Sequence, residues 1–525
     1  MKVVAAAASA LLVATVYVLR LDHAVGLVID DAYYVMLGQS LAQGGPYALV
    51  SSAAAPILPS VPPIFPALLA IVFRLAPSFP ANIFLLKSVS VVAMAGAGLA
   101  TFWFARRVRA LPAALAWTIA LAVALTPAFV FLATSTVMAE CVFTLLQIAT
   151  VIVLEKAASG DSRRTRTAAA AAALLAASTW MVRSAGITLI AAAFLWLAWR
   201  RRMAALAVFV IVFAVSAAPW AIFAARHAPD AVDRDRYGGS IAVAYGDAVR
   251  LRVAGVASSG TVGWTEWPLR AARNIVNIFG RDVGGIVAPM LYRPAGESGE
   301  EVFSLGALGF LRGSMGNASS TIALSLVLSA VALVGYASVL KERPTVVELL
   351  VPLTLAMLLI YPYWTFRFVL PLGPFLLIYL ASGCRALAAW SGAVDVWRPA
   401  RILVVTIVAG QIVDHAQYIR LLRDPSEAST IDWLSDARGL DEALAWMTAN
   451  VTGNAGVAST NPALVYLRTG RKGVSFDGST VKIDEWKTLG VRYVAAFRSM
   501  EVPSGLAAGR VVYRDPRRRW WIVAI

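Results

Sequence analysis

The sequence predicts a polytopic α-helical membrane protein, and three observations carry the prediction. Of 525 residues, 59% are hydrophobic and only 14% charged, and the mean hydropathy is +0.72, far from the balance of a soluble domain. Apolar stretches of about 18 to 25 residues recur between charged breaks, the length a helix needs to cross roughly 30 Å of hydrocarbon. Strand-period alternation is absent from these stretches, which excludes a transmembrane barrel.

Eleven spans are expected, near 3–20, 82–105, 112–132, 137–155, 167–181, 185–199, 204–225, 321–340, 346–361, 366–384 and 401–416. The first reads as an uncleaved helix, because no small-x-small cleavage site follows Val18 before the charged residues. A net charge of +16 would suit nucleic acid, but here the placement of the basic residues explains it. They cluster as Arg106, Arg107 and Arg109; Lys156, Arg163, Arg164 and Arg166; Arg200, Arg201 and Arg202; Lys341 and Arg343; and Arg385, Arg398 and Arg401, always in alternate loops. With Lys2 on the same side, the positive-inside rule puts these loops and the N-terminus in the cytoplasm. No nucleic-acid partner is expected. Cys141 and Cys384 fall in separate apolar runs, which argues against a disulfide.

The complementary segments then face outward: residues 21–81, the turn near 133–139, "MVRSAG" at 181–186, residues 226–320 and "YPYWTF" at 361–366. In the first of them, "DDAYYVMLGQSLAQGG" has an Asp start, apolar Tyr34, Leu37 and Leu41, and a Gly-Gly stop, predicting an N-capped amphipathic helix along the membrane surface. "PPIFPALLAIVFRLAP" follows, too short to span and read as a second interfacial or re-entrant helix. An odd number of crossings sends 417–525 outward as well. Its helix-like "LDEALAWMTANV" and strand-like "GVRYVAAF", "RVVY" and "RWWIVAI" predict a small extracytoplasmic α/β domain behind a membrane module of residues 1–416.

Two adjacent carboxylates, Asp30 and Asp31, open the first outer helix. One can serve as a cap for free N–H groups; a second is left over. Adjacent acids at a membrane face can hold a cation or act as a base toward a hydroxyl, since the like-charge neighbour raises one pKa. His23, His227 and His415 show no metal-ligand spacing and are assigned to the interface or loop surface. The run "DPRRRWW" reads first as a solvated edge of the small domain, with anionic headgroups as the alternative. Asn317 and Asn450 match short glycosylation patterns that arise often by chance.

"DDAYYVMLGQSLAQGGPY" followed by "PPIFPALLAIVFRL" resembles the opening of the bacterial GT-C fold glycosyltransferases, which include protein mannosyltransferases and the lipid A aminoarabinose transferase. "STVMAECVFTLLQIATVIVLEK", "STWMVRSAGITLI", "FRFVLPLGPFLLIYLASG" and "NPALVYLRTGRKGV" continue the similarity in order, with 226–320 the weakest part. The resemblance implies an inverting glycosyltransferase of the bacterial inner membrane, which moves a sugar from a polyprenyl-phosphate carrier to a lipid, glycan or protein acceptor on the periplasmic face. On that reading Asp30 is the catalytic base, and Asp31 and Glu140 are supporting or metal-binding acids for a divalent ion (Mg, Mn, Ca or Zn). Arg367 and Arg183 meet the donor phosphate, where developing negative charge wants a cation, and Tyr33, Tyr34, Tyr361 and Tyr363 line the donor and acceptor pocket. For the arginines the competing role is snorkelling to headgroups; for Glu140 it is bonding to a neighbouring Thr or Ser. One departure stands out: the aminoarabinose type carries a lysine just before the prolines, where this chain reads "SVPPIFP". A transporter or flippase of lipid-linked sugars, or a catalytically silent relative, would suit the spans equally. The acids and arginines crowd the outer ends rather than the midplane, which favours the enzyme.

Overall fold

The computed structural model describes residues 2–52, 61–160, 162–228, 230–238, 245–253, 256–289, 318–362, 365–423, 432–451, 453–478, 480–497, 501–516 and 519–525. A bundle of apolar helices carries a small mixed sheet at the C-terminal end of the chain. The helices used below are α1 (Lys2–Arg20), α2 (Asp30–Ala42), α3 (Ile64–Leu75), α4 (Ile83–Trp103), α5 (Ala113–Ala124), α6 (Pro127–Thr134), α7 (Glu140–Ala157), α8 (Arg163–Val182), α9 (Ile187–Trp199) and α10 (Met203–Arg226). They continue as α11 (Glu266–Asn277), α12 (Val283–Val287), α13 (Ala318–Glu342), α14 (Val347–Leu359), α15 (Phe366–Val369), α16 (Gly373–Trp390) and α17 (Arg398–Arg423).

A helix lies at each of the eleven expected positions, but not all have the length of a crossing. Among the described residues five helices are long and apolar enough to span a membrane, or six if α5 and α6 form one span bent by 46°. The expected straight helix over 112–132 is broken because Pro127 begins α6 and cannot continue the hydrogen bonding of α5. Burial sorts the spans by role. The apolar window within Phe366–Trp390 is 89% buried and forms the centre, whereas that of α10 is 17% buried and faces outward along its length.

The tightest crossing is between α13 and α16, where a Cβ on Gly335 would strike the carbonyl of Tyr379 and one on Gly383 that of Val331. Lipid tails are as apolar as the side chains, so close backbone approach through small residues is what holds such helices together.

Helix α2 departs from the expectation of an amphipathic surface helix. Nine of its thirteen residues are buried, Tyr33, Val35, Met36 and Leu37 among them. It is covered by α3 on one side and by a helix of the C-terminal domain on another. Gly38 permits the first contact, since a Cβ there would come within 2.8 Å of the Leu69 Cβ; Tyr34 meets Phe65 edge-on at 5.0 Å.

The C-terminal elements match the predicted α/β character. Helix α18 (Asp432–Asn450) leads into β3 (Gly456–Ser459), α19 (Pro462–Thr469), β4 (Gly473–Ser475), α20 (Ile483–Thr488), β5 (Val491–Phe497), β6 (Arg510–Arg514) and β7 (Trp520–Ala524); β1 (Leu251–Val253) and β2 (Val256–Thr261) form a separate hairpin. Strand order is β4-β3-β5-β7-β6, with β3 parallel to β4 and β5, and β7 antiparallel to its neighbours. The sheet is tied to the segment around the two aspartates. Asn461, which caps α19, donates to the Gly26 carbonyl at 2.8 Å, and the Gly473 amide donates to that of Ser51 at 2.9 Å.

Candidate active site

Asp30 and Asp31 begin α2 as its first and second helical residues, so neither is the N-cap; that position belongs to Ile29, at φ 68°. A bulky residue rarely adopts such a conformation, and here it turns the chain sharply into the helix. The turn separates the two acids. Asp31 points inward and is fully buried, its Oδ2 accepting from the Gly26 amide at 2.8 Å and its Oδ1 from that of Ala32 at 3.0 Å. Burial pushes its carboxyl up to about 6, with the charge of Asp30 adding to the effect and the two amides opposing it. Asp30 points the other way, its side chain 36% exposed.

Arg367 meets Asp30. Its Nη2 donates to Asp30 Oδ2 at 3.2 Å and to Glu140 Oε1 at 2.8 Å, while its Nε donates to the same Glu140 oxygen at 3.0 Å. Glu140, the first residue of α7, is fully buried and also pairs with Arg183. Arg183 ends α8, 6% exposed, with its guanidinium 4.9 Å from the Phe368 ring centroid. The Gly186 turn makes this possible: a Cβ there would come within 2.9 Å of the Trp180 backbone. Snorkelling to headgroups is therefore not the role of either arginine, and Glu140 is bonded to two guanidiniums rather than to Thr or Ser.

Three of the four expected tyrosines surround this group, all buried. Tyr33 lies close enough to Asp30 to feel its charge, and burial raises its hydroxyl pKa. Tyr34 lies close enough to Arg367 to interact with it electrostatically, and Tyr361 meets Phe368 at 4.7 Å. Tyr363 lies outside the described residues.

Thr365 with its partner Asp282, and Lys87, support the site without any signal in the sequence. Thr365 stands at the N-cap position of α15, which carries Arg367, and its hydroxyl, making no cap bond, donates instead to the buried carboxylate of Asp282. Burial pushes Asp282 up to about 6, opposed by Arg281 and by this hydrogen bond. Asp282 ends a π-turn (Ile278–Asp282) in a stretch without any motif, so only the fold could reveal it. Lys87 of α4 is fully buried; it donates to the Asp22 carboxylate at 2.9 Å and its charge acts on Asp31.

The expected pairing of Asp31 and Glu140 around a metal does not form. Asp31 is committed to backbone amides and Glu140 to arginines, and no group of three or more His, Cys, Asp or Glu gathers among the described residues. Arg367 occupies the point between the two nearest carboxylates, so these residues do not fit a resident ion. His415 is corrected too. It is fully buried in α17, bonded to Arg20 at 3.1 Å and to the Leu125 carbonyl at 2.8 Å, whereas His23 and His227 are exposed as expected. Of the Arg-rich C-terminal run, Arg519 pairs with Asp436, and Trp520 and Trp521 are core.

The arrangement offers a half-exposed carboxylate beside a guanidinium that is itself anchored from behind. An anion can approach Arg367 and a proton can be taken by Asp30 within one small volume.

No protein-family model matches the chain, and no curated protein does. Solved structures do match. The Archaeoglobus fulgidus oligosaccharyltransferase in complex with Zn and sulfate aligns with a TM-score of 0.56 at 14% identity, over 90% of this chain and 64% of that one. The chain thus spans less than two thirds of that protein's length. The same organism's AglB, in complex with an inhibitory peptide and a dolichol-phosphate, gives 0.51 at 12% identity, covering 94% and 69%. ArnT from Cupriavidus metallidurans in the apo state gives 0.48 at 14%, covering 99% and 98%. The two oligosaccharyltransferase alignments establish that the fold is of the GT-C type.

Proposed function

We propose that this GT-C fold membrane protein is an inverting glycosyltransferase that takes a sugar from a polyprenyl-phosphate donor and passes it to a lipid, glycan or protein acceptor. The observation that carries the proposal is the single guanidinium of Arg367 held between Asp30 and the buried Glu140. The likeness to an oligosaccharyltransferase solved with a dolichol-phosphate supports a lipid-phosphate donor.

The chemistry follows from the residues. The donor phosphate binds Arg367, whose orientation Glu140 fixes, and Arg183 adds positive charge behind it. The acceptor hydroxyl lies at Asp30 and attacks the anomeric carbon as the bond from that carbon to the phosphate oxygen breaks. One displacement inverts the configuration. The hydroxyl proton goes to the Asp30 carboxylate, and the negative charge developing on the phosphate is met by the arginines. Asp31 does not touch the reactants; it holds the Gly26 turn that aims Asp30 outward. The chemistry lies in residues 1–416, and residues 417–525 brace the Gly26 turn from above. The protein sits in the bacterial inner membrane with the N-terminus cytoplasmic and the site periplasmic, which matches the basic loops.

The test is transfer from a defined polyprenyl-phosphate sugar by purified protein. Asp30→Asn lowers turnover by about 10²–10⁴ while leaving the fold intact, since Asp30 is partly exposed with Arg367 as its side-chain partner. Wild-type turnover in this variant would remove Asp30 from the chemistry.

A further inference from the structure

Helix α11 is built inside out. On an ordinary surface helix the apolar stripe faces the protein and the polar stripe faces water. Here the two buried side chains are Arg270 and Asn274. Outward stand Leu269 at 73% exposure, Val276 at 63% and Ile275 at 44%, with Trp264 at 92% just before the helix. Ala272 shares that face, and Arg273 stands exposed beside it.

The buried polar groups have a definite task. Asn274 Nδ2 donates to the carbonyls of Leu358 and Tyr361, each at 2.9 Å, where α14 ends. Arg270 donates to the carbonyls of Val249 at 2.7 Å and Leu251 at 2.6 Å. A helix leaves its last four carbonyls unpaired, and an apolar helix of a membrane bundle must have them satisfied where the hydrocarbon ends. α11 lies across that point. The π-turn that continues it meets α13, whose apolar span begins at Ile322: the hydroxyls of Ser325 and Ser329, in the early turns of that span, donate to the Phe279 carbonyl at 3.0 and 2.8 Å. α11 is thus pinned at the C-terminal end of the apolar helix α14, and the π-turn that follows it is pinned against the early turns of the span within α13, on the side of the bundle that carries Arg367.

We propose that α11 is an interfacial helix whose apolar face, Leu269, Ala272, Ile275 and Val276 with Trp264, is seated in the boundary between headgroups and acyl chains of the bilayer. The level is set by the end of α14 that it caps and by the early turns of the α13 span against which the following π-turn is pinned. An indole at the edge and a cationic side chain beside the face are what that boundary accepts, the guanidinium of Arg273 reaching headgroup phosphates. The occupant is the lipid surface itself, and the proposal does not depend on the transfer reaction.

Spin labels test it in full-length protein reconstituted into phospholipid nanodiscs. Single cysteines replace Leu269, Val276 and, as a solvent control, the exposed Arg510 of β6, in a Cys384→Ser background; buried Cys141 stays. Labels at 269 and 276 should collide several-fold more with oxygen, which concentrates in acyl chains, than with a water-soluble nickel chelate, relative to the label at 510. Nickel collisions at 269 and 276 equal to those at 510 would place the face in water and overturn the proposal. Exclusion of both reagents would overturn it too, in favour of a covering protein such as a second copy.

Discussion

Glu140→Gln is the perturbation that most directly probes the architecture of the site. It keeps the side-chain volume and removes the negative charge that two arginines share. Glu140 is fully buried, its Oε1 lies 2.8 Å from Arg367 Nη2 and 3.0 Å from Nε, and Arg183 is on the same oxygen. At an effective dielectric near 20, unit charges about 4 Å apart attract by about 4 kcal/mol. The variant loses two such attractions and keeps the repulsion between the guanidiniums, while the amide oxygen restores about 1 kcal/mol as a neutral acceptor. Removal of one partner from a buried ion pair costs about 3–5 kcal/mol, which is the destabilisation expected here. Equilibrium unfolding in mixed micelles measures it. A second variant sharpens the result: adding Arg183→Met to Glu140→Gln deletes one orphaned charge, so the double variant should be at least about 1 kcal/mol more stable than additivity predicts. A single variant within about 0.5 kcal/mol of wild type, or strict additivity, would refute the shared-carboxylate reasoning.

Other expectations follow from the same geometry. Asp31 is held up at about 6 in the fold against an ordinary 3.8, so its contribution to stability is fully present below pH ~4 and is lost as pH rises to about 6, by about 3 kcal/mol. Asp31→Asn should flatten that part of the pH–stability curve, leaving the similar slope due to Asp282, and an unchanged curve would contradict the burial argument. Thr365→Val removes the hydroxyl that ties the residue at the N-cap position of the Arg367 helix to buried Asp282; a loss of about 1.5–3 kcal/mol in kcat/KM is expected, mostly as a raised KM for the proposed lipid donor. Gly26→Ala should destabilise by about 1–3 kcal/mol, because Gly26 sits at φ 95° and a Cβ there would strike Leu464 of α19. Limited proteolysis at the start of α18 would report the loosened domain.

What the sequence disclosed was governed by local rules. Helix placement followed from apolar length, and the C-terminal strands from the short β-branched and aromatic runs "GVRYVAAF" and "RWWIVAI", because both are properties of consecutive residues. The grouping of Asp30, Glu140, Arg183 and Arg367 was expected through resemblance, and their contacts join residues far apart in the chain, Arg367 lying 337 positions from Asp30 and 227 from Glu140. Asp282 and Lys87 could not be read because a lone charge in a long loop, or within an apolar span, has no local pattern that announces its partner. The error at α2 has the same origin. Its sequence gives it polar residues for solvent, but α3 and α19 arrive from elsewhere and cover them, and Gly38 is the feature that allows this. His415 was misplaced because an imidazole that bonds Leu125 and Arg20 is satisfied far from water, and such satisfaction is tertiary.

The position of Arg367 also constrains how the site must work. Its guanidinium already holds two carboxylates, so a phosphate cannot bind it without competing for one of them. Glu140 is the worse loser: it is buried, bonded by two nitrogens of Arg367, and pairs with Arg183. Asp30, partly exposed and touched through one nitrogen at 3.2 Å, is the partner that gives way. In the proposed transfer reaction, arrival of the donor would therefore release the carboxylate that the acceptor needs, so that the free site would be held in a paired, unreactive form until a phosphate is present. The order that follows is donor first and acceptor second, with Asp31 and the Gly26 turn keeping Asp30 within reach of the hydroxyl once Arg367 has let go.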